Sequence, residues 1–198
     1  MSKLFSALEK RRTRYELEKH DSVSNDAILQ MVEDAVHLTP SAFNAQTQRA
    51  VVLFDDQSDK FWDLTLEELR KVAPEQGFEN TVAKINSFKA GNGTILYYID
   101  QDVVESLQEN FPLYAKDFPT YAQQENAMLQ IVAWTELDNL GLGGSLQHYS
   151  ALVEGVTQEA FNIPSTWKMV AQQPFGKPLD APEARQVSDA KAKVLSFQ

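Results

Sequence analysis

Three arginines stand close together near the start of the chain, in the run Arg11-Arg12-Thr13-Arg14-Tyr15. The protein has 198 residues and a formal net charge of −10 at pH 7, so this run is a local concentration of positive charge. Guanidinium groups pair with phosphate through two parallel hydrogen bonds, which makes the run a candidate anion site. The alternative is a solvated helix face with ion pairs to nearby glutamates, as charged runs usually form.

Polar side chains that donate and accept hydrogen bonds lie between a predicted helix and a predicted strand. Ser41, Asn44 and Gln46 belong to the segment PSAFNAQTQR at 40–49. Asn and Gln each present a donor and an acceptor together, which suits recognition of the edge of a heteroaromatic ring. The alternative is an ordinary helix-to-strand connection.

A glycine-rich stretch and a pair of cations follow later in the chain. Gly143 and Gly144 lie in GLGGSLQHY at 141–149, and such glycines let backbone N–H groups approach a ligand closely. The stretch follows a long predicted helix rather than a strand, so it is not a dinucleotide-binding fingerprint, and its alternative role is a helix C-cap. Lys177 and Arg185 offer further cations for the same anion, or else belong to a solvated tail.

Several common chemistries lack the residues that they need. The chain has no cysteine, and His20, His37 and His148 are far apart with no metal-type spacing. The sequence contains neither the nucleophile elbow of a hydrolase nor a phosphate-binding P-loop. We therefore expect no metal centre and no Ser-His-Asp hydrolase.

The charge balance and the apolar pattern limit the partners of the protein. A net charge of −10 disfavours nucleic acid and anionic membranes, because both attract a basic surface. No apolar run approaches the roughly 20 residues of a membrane span, and the N-terminus does not resemble a signal peptide. The absence of cysteine fits a reducing compartment, so we expect a cytoplasmic protein.

Helices and strands must position these residues, and the hydrophobic pattern predicts both. It predicts helices at 2–18, 26–36, 58–72, 79–90, 103–110 and 120–140, and strands at 49–54, 94–99 and 167–172. The stretch 127–134 is apolar nearly all round, as in a helix that is buried on several sides. This order of elements predicts an α+β or α/β fold, a small sheet with helices on its faces, in a single domain spanning 1–198.

Taken together and in this order, the four groups of residues resemble the nitroreductase family of flavin oxidoreductases. The matching segments are RRTRYEL at 11–17, PSAFNAQTQR at 40–49, GLGGSLQHY at 141–149 and PFGKP at 174–178. The details look closest to the fatty-acid-repression-mutant-like branch, which includes small bacterial and fungal nitroreductases. The resemblance implies an α+β fold with a mixed central sheet flanked by helices, built as an intertwined homodimer.

The same resemblance implies two FMN sites at the dimer interface, with NAD(P)H as the electron donor and a nitroaromatic or quinone as the acceptor. Arg11 would bind the FMN phosphate, and Arg12 and Thr13 would contact the phosphate, the ribityl chain or the ring. Lys177 or Arg185 would complete the phosphate site, and the sequence leaves the choice between them open.

The remaining site residues would contact the isoalloxazine ring. Ser41, Asn44 and Gln46 would line the ring of the partner's FMN. Gly143 and Gly144 would lie near N5 and O4, where their N–H groups favour the reduced anionic flavin. Hydride transfer to N5 depends on position and field, so we expect no catalytic side chain.

Tyr15 is a departure from the wider family. It occupies a position that is often Lys or Arg beside flavin N1 and O2, and we count it among the cofactor-binding residues. The charge that compensates a reduced flavin would then come from Arg12, Arg14, or the more distant Lys84 or Lys89.

Two alternatives to a reductase stay open. One is a flavin-binding stress-response or lipid-signalling regulator with little turnover, and the other is an acidic interaction domain without flavin.

Overall fold

The computed structural model describes residues 1–179, 181–182 and 184–197. Within these residues, seven α-helices and five β-strands form two helical layers around one sheet. The helices are α1 Lys3–Lys10, α2 Asn25–Leu38, α3 Asp55–Val72, α4 Phe78–Lys89, α5 Gln101–Asn110, α6 Phe118–Asn139 and α7 Ser150–Phe161. The strands are β1 Leu17–Glu18, β2 Gln48–Phe54, β3 Gly93–Asp100, β4 Gly143–Gly144 and β5 Trp167–Pro178. No helix in the described part of the chain is both long and apolar enough to cross a bilayer.

The sheet has the strand order β1-β5-β3-β2, and β4 pairs alongside β5. All pairings between these strands are antiparallel. The parallel contact in the described residues is an isolated bridge between Thr13 and Gly144. The predicted α+β fold is therefore confirmed, while the parallel part of the expected mixed sheet is limited, within one chain, to that bridge.

Strand β3 contributes side chains to the core on both of its faces, because helices cover both faces of the sheet. Ile95 and Tyr97 pack with α2 and α6, whereas Leu96 and Tyr98 pack with α3, α4 and α7. All four side chains are fully buried. Successive side chains of a strand point to opposite faces, and here both faces are buried. Apolar residues are therefore favoured at every position, which explains the continuous apolar run of β3.

Helix α6 crosses the α2 side of the sheet and spans 22 residues. Its inward side chains Leu129, Ala133 and Leu137 are fully buried. Ala127 and Met128 are exposed on a single chain, so this chain covers only part of the apolar circumference predicted for α6.

The end of α6 shows that the glycine stretch at 141–149 does cap this helix, through Gly141. This glycine adopts φ +83°, a left-handed conformation that glycine reaches without strain. The Leu142 N–H donates to the Leu137 carbonyl at 2.9 Å, and the Gly141 N–H donates to the Asp138 carbonyl at 3.0 Å. This pair of bonds is the Schellman pattern of a helix C-terminus.

The largest differences from the sequence-based prediction are two boundaries and one additional helix. The first helix ends at Lys10 rather than near 18, because the arginine run leaves the helix to pair with Gly144 and residues 17–18 then join the sheet beside Pro178. Strand β5 continues past 172 to Pro178, held by its pairing with β3, β4 and β1. Helix α7 was not predicted, although Val153 is buried and Leu152, Val156 and Phe161 pack against the same core.

Candidate functional site

Arg11 follows the last residue of α1 and places its guanidinium against α6. Its Cζ lies 4.2 Å from the ring centroid of Trp134, and its buried Nε–H has no hydrogen-bond partner among the described residues. Burial lowers the pKa of Arg11, and the charges of Arg185 and Arg12 lower it further, against the opposing effect of Asp138. A bound anion would supply an acceptor for Nε–H and offset the repulsion among the three arginines.

Arg12 and Arg185 line a cleft of about 550 Å³ between α1 and the C-terminal segment. The other lining residues are Met1, Phe5, Leu8, Glu9 and Val187. Cations from the two ends of the chain therefore converge at one place, as an anion site requires.

Lys177 has a different environment from Arg185. Its Nζ lies 2.6 Å from the Glu18 carboxylate, in an exposed ion pair that joins β5 to β1. The positive charge of Lys177 is thus neutralised within the chain, whereas Arg185 lies close enough to Arg11 to lower its pKa. This arrangement favours Arg185 as the additional cation of the anion site.

The segment after Arg11 pairs with the glycine strand β4. Thr13 bridges to Gly144, and the Arg14 N–H donates to the Gly144 carbonyl at 2.9 Å. A Cβ on Gly144 would lie 2.7 Å from the carbonyl oxygen of Pro174, and one on Gly143 would lie 2.6 Å from Arg14 Cγ. Packing within the chain therefore already requires both glycines, and this pairing joins them to the arginine run.

Tyr15 lies next along this segment and is largely exposed. Lys84 and Lys89, the more distant candidates for charge compensation, belong to α4 in the opposite helical layer. The Lys84 ammonium lies 5.8 Å from the ring centroid of Phe88, and Lys89 forms a 2.6 Å ion pair with Asp63. Within one chain, both lysines therefore lie apart from the arginine cluster, which packs against α6 through Arg11.

The second group of predicted residues forms a tight loop just before β2. The Ser41 Oγ accepts a hydrogen bond from the Gln46 N–H at 3.0 Å, while Asn44 and Gln46 are exposed. Phe43, Asn44 and Gln46 have φ values of 57°, 53° and 52°, in the left-handed region that residues other than glycine rarely adopt. Strained residues of this kind persist only where their surroundings fix them, and they concentrate at functional sites.

Aromatic rings surround the same loop. The Phe43 ring lies 5.1 to 5.6 Å, centroid to centroid, from Phe111, Phe118 and Tyr114. Phe43, Phe111 and Tyr114 are each at least 41% exposed. They form an apolar surface, which we call the aromatic patch, beside the polar side chains of the loop.

One chain does not bring the loop and the arginine cluster together. Gln48, at the end of the loop, aligns through β3 with Lys168 at the start of β5, whereas Gly144 aligns with Phe175. Phe175 follows Lys168 by seven residues, which is roughly 23 Å along a strand. The predicted site residues therefore fall into two separate half-sites within one chain.

Sequence reasoning missed two residues that shape these half-sites. Glu125 of α6 accepts hydrogen bonds from the loop, and Trp134 of α6 lies under Arg11. Glutamate at 125 carried a weak signal, since it lies just before the apolar stretch of α6 at 127–134. The described residues contain no group of His, Asp and Glu side chains that could hold a metal ion.

The fold and these half-sites agree with a family match along most of the chain. The model of the nitroreductase family matches residues 8–177, and the chain belongs to this family. Two Saccharomyces cerevisiae proteins are similar over nearly their full length. HBN1 is 33% identical over 177 residues, covering 88% of each chain. The nitroreductase FRM2 is 31% identical over 182 residues, covering 91% of this chain and 90% of its own, which confirms the resemblance to that branch.

Solved structures of similar proteins agree with this assignment. Nitroreductase CinD from Lactococcus lactis, in complex with nicotinic acid, is 35% identical with a TM-score of 0.91, covering 98% of this chain and all of its own. CinD has also been solved with chloramphenicol and with 4-nitrophenol. A nitroreductase with bound FMN from Desulfitobacterium hafniense is only 15% identical but covers both chains fully with a TM-score of 0.71, which shows the shared fold.

Proposed function

We propose that this nitroreductase-type oxidoreductase binds FMN and transfers reducing equivalents from NAD(P)H to nitroaromatic or quinone acceptors in ping-pong order. The observation that carries the proposal is the convergence of Arg11, Arg12 and Arg185, with a buried Arg11 Nε–H that has no acceptor among the residues that the structure describes. Such a cluster suits the terminal phosphate of a mononucleotide. Bound FMN would supply the atom that accepts and donates hydride.

In this proposal the three arginines hold the phosphate and fix the register of the cofactor. Thr13 and Tyr15 contact the ribityl chain or the ring, because both follow Arg11 along the segment beside β4. The backbone N–H groups of Gly143 and Gly144 lie beside the ring and favour negative charge there. In this proposal, these groups bind and orient the cofactor, and none of them transfers a proton. Cations, glycine N–H groups and neutral polar side chains suit that role.

The loop of Ser41, Asn44 and Gln46 contacts the ring of the FMN held by the partner chain. Its separation from the arginine cluster within one chain supports this assignment, since one cofactor cannot reach both half-sites of the same chain. The proposed assembly is therefore a homodimer with two shared sites. The absence of cysteine suits work in the cytoplasm.

The aromatic patch beside the loop is the proposed wall for the acceptor. Planar aromatic rings stack well on exposed aromatic side chains, which favours nitroaromatic and quinone compounds. CinD, which is 34% identical, has been solved with the nitroaromatic 4-nitrophenol, and this supports the same substrate class here.

Two measurements on the purified protein test the proposal. Chromatography of the chromophore released by denaturation should identify FMN rather than FAD. Initial rates of NADH or NADPH oxidation with 4-nitrophenol or a quinone should give parallel double-reciprocal lines, as ping-pong order requires. Tight FMN binding with negligible turnover would instead support the regulatory alternative, and failure to bind any flavin after reconstitution would contradict the proposal.

A further inference from the structure

Glu125 is a buried carboxylate on α6 that the proposed function does not use. It is 1% exposed, and the ion pairs found among the described residues do not include it. Its Oε1 accepts a hydrogen bond from the Ala42 N–H at 3.0 Å. Its Oε2 accepts from the Thr47 hydroxyl at 2.7 Å and from the Thr47 N–H at 3.4 Å. One carboxylate therefore binds both ends of the loop that contains the predicted ring-binding residues.

The loop needs such an anchor because its backbone is strained. Phe43, Asn44 and Gln46 all have positive φ. On the sheet side, the Gln46 carbonyl accepts from Arg49 and the Thr47 carbonyl accepts from the Asp100 N–H. Apart from the bond to Glu125, the other backbone bonds of residues 41–46 are local, as from Gln46 N–H to Ser41 Oγ. Such local bonds would be kept if the whole loop rotated, so they do not fix its orientation relative to the rest of the protein. Only contacts to the rigid core fix its direction, and the buried Glu125 supplies three of them from the middle of a long helix.

We infer that Glu125 is a positioning residue for the ring-binding half-site, which rests on the proposed function and adds a residue to it. A carboxylate suits this position because the groups facing it include two backbone N–H donors, one at each end of the loop, and it offers each of them an oxygen. The Thr47 hydroxyl donates to the same carboxylate. In Glu125→Gln, one oxygen remains for the two backbone N–H groups. The new NH₂ group can donate to the Thr47 hydroxyl but faces the N–H of either Ala42 or Thr47, so one end of the loop is weakened while the volume of the side chain is kept.

Hydrogen–deuterium exchange on the full chain tests the anchoring directly. In Glu125→Gln, residues 42–47 should exchange at least about tenfold faster than in wild type, while the peptide covering 129–139 of α6 stays protected. Thr47→Val, which removes one of the three donors, should show a smaller increase in the same segment. Thr157→Val is the matched control, because the Thr157 hydroxyl is also buried but bonds only to the Val153 carbonyl of its own helix.

Flavin titration tests whether the anchored loop serves the ring. Riboflavin has the same ring as FMN but no phosphate, so Glu125→Gln should weaken both ligands by a similar factor, about tenfold. Arg11→Ala should weaken FMN alone. Unchanged exchange at 42–47 in both Glu125→Gln and Thr47→Val would overturn the inference, and so would faster exchange with wild-type affinity for both flavins. Wild type that binds neither flavin would contradict the proposed function, while the exchange result would still decide the anchoring of the loop.

Discussion

At the scale of single residues, the environment of Arg11 gives the strongest indication of a bound anion. Its guanidinium is partly buried, its Nε–H has no acceptor in the described part of the chain, and Arg12 and Arg185 lie near it. All three features are unfavourable for a guanidinium whose role is only structural. Arg11→Ala should therefore lower FMN affinity by about tenfold to a hundredfold, the loss of a charge-assisted bond of roughly 1.5–3 kcal/mol. Fluorescence titration of FMN into the flavin-free variant measures this loss.

The stability of Arg11→Ala should change by less than about 1 kcal/mol. The lost contact with Trp134 is offset by relief from burying a cation near Arg12 and Arg185. Arg70→Ala is a matched control, since Arg70 also stacks on an aromatic ring, with its Cζ 4.7 Å from the centroid of Phe78, but on α3. Equal FMN affinity in the two variants would contradict the phosphate site and support the alternative that the arginine run is a solvated, charged surface.

Gly144 and Gly155 form a second residue-level comparison. Gly144→Ala should destabilise the protein by about 1–3 kcal/mol, because its Cβ would lie 2.7 Å from a backbone oxygen in the sheet. Gly155→Ala should stabilise it by about 0.5–1 kcal/mol, since nothing lies within 4 Å of that position in α7 and alanine favours a helix. Urea unfolding of both variants measures the difference, and equal stabilities would contradict the packing described for β4.

The sequence could suggest candidate site residues where the relevant groups are close together along the chain. The arginine run and the loop amides could be recognised because their donors and acceptors stand close together in sequence. The preference for Arg185 over Lys177 could not, because it depends on a contact between Lys177 and Glu18, which are 159 residues apart. The role of Glu125 was hidden for the same reason, since its partners lie 78 and 83 residues away.

At the scale of elements, β3 places two neighbouring tyrosines on opposite faces of the sheet. Burial raises the pKa of both Tyr97 and Tyr98 above the ordinary value near 10. The Tyr97 hydroxyl donates to Gln173 Oε1 at 2.5 Å, whereas the buried Tyr98 hydroxyl has no partner in the described part of the chain. The two hydroxyls should therefore respond differently to removal.

Above pH 10 the unfolded chain loses tyrosine protons that the folded strand retains. The unfolded state then binds fewer protons, so the free energy of unfolding falls as pH rises from about 10 towards the raised pKa values, by about 1.4 kcal/mol per pH unit for each tyrosine. Below pH 10 this contribution is fully present. Tyr98→Phe should remove one such slope with little change at pH 8, and urea unfolding from pH 8 to 11 measures it.

Tyr97→Phe gives the contrasting result. It should also reduce the alkaline slope, but it should lower stability at pH 8 by about 1–3 kcal/mol because Gln173 loses its buried donor. A wild-type protein whose stability is flat from pH 10 to 11 would contradict the burial of both rings.

Elements with strong periodicity were predictable, and those made by distant pairing were not. The continuous apolar run of β3 indicates a buried strand directly from the sequence. The spacing of Ile28, Val32 and Ala35 likewise indicates the helix α2. The two residues of β1 are a strand only because Pro178 and Lys177 lie beside them. Helix α7 contains β-branched residues and an exposed glycine, so its helical form depends on packing against α3 and β5 rather than on propensity.

At the scale of the whole molecule, the two half-sites and an uncovered apolar face point to the same assembly. Leu38 of α2 and Leu140 of α6 line a groove of about 560 Å³ between these helices, with Val132 also in its wall. Leu38 is 73% exposed, and Met128 on the neighbouring turns of α6 is 37% exposed. A second copy that covers this face would bury the rest of the apolar circumference of α6 and bring a loop to each arginine cluster.

If the proposed homodimer forms through this face, Met128→Glu should weaken the assembly and FMN binding together. In a free chain the new carboxylate would meet water, so the fold should survive, whereas in the dimer it would be buried without a partner at a cost of roughly 3–5 kcal/mol, a loss of a hundredfold or more in association. Val72→Glu is the matched control, because Val72 is an exposed apolar residue at the end of α3 in the opposite layer. Sedimentation at several concentrations, with flavin and protein absorbance recorded together, follows both losses. A wild-type protein that sediments as a flavin-loaded monomer at micromolar concentration would refute the shared site, since one chain would then complete it alone.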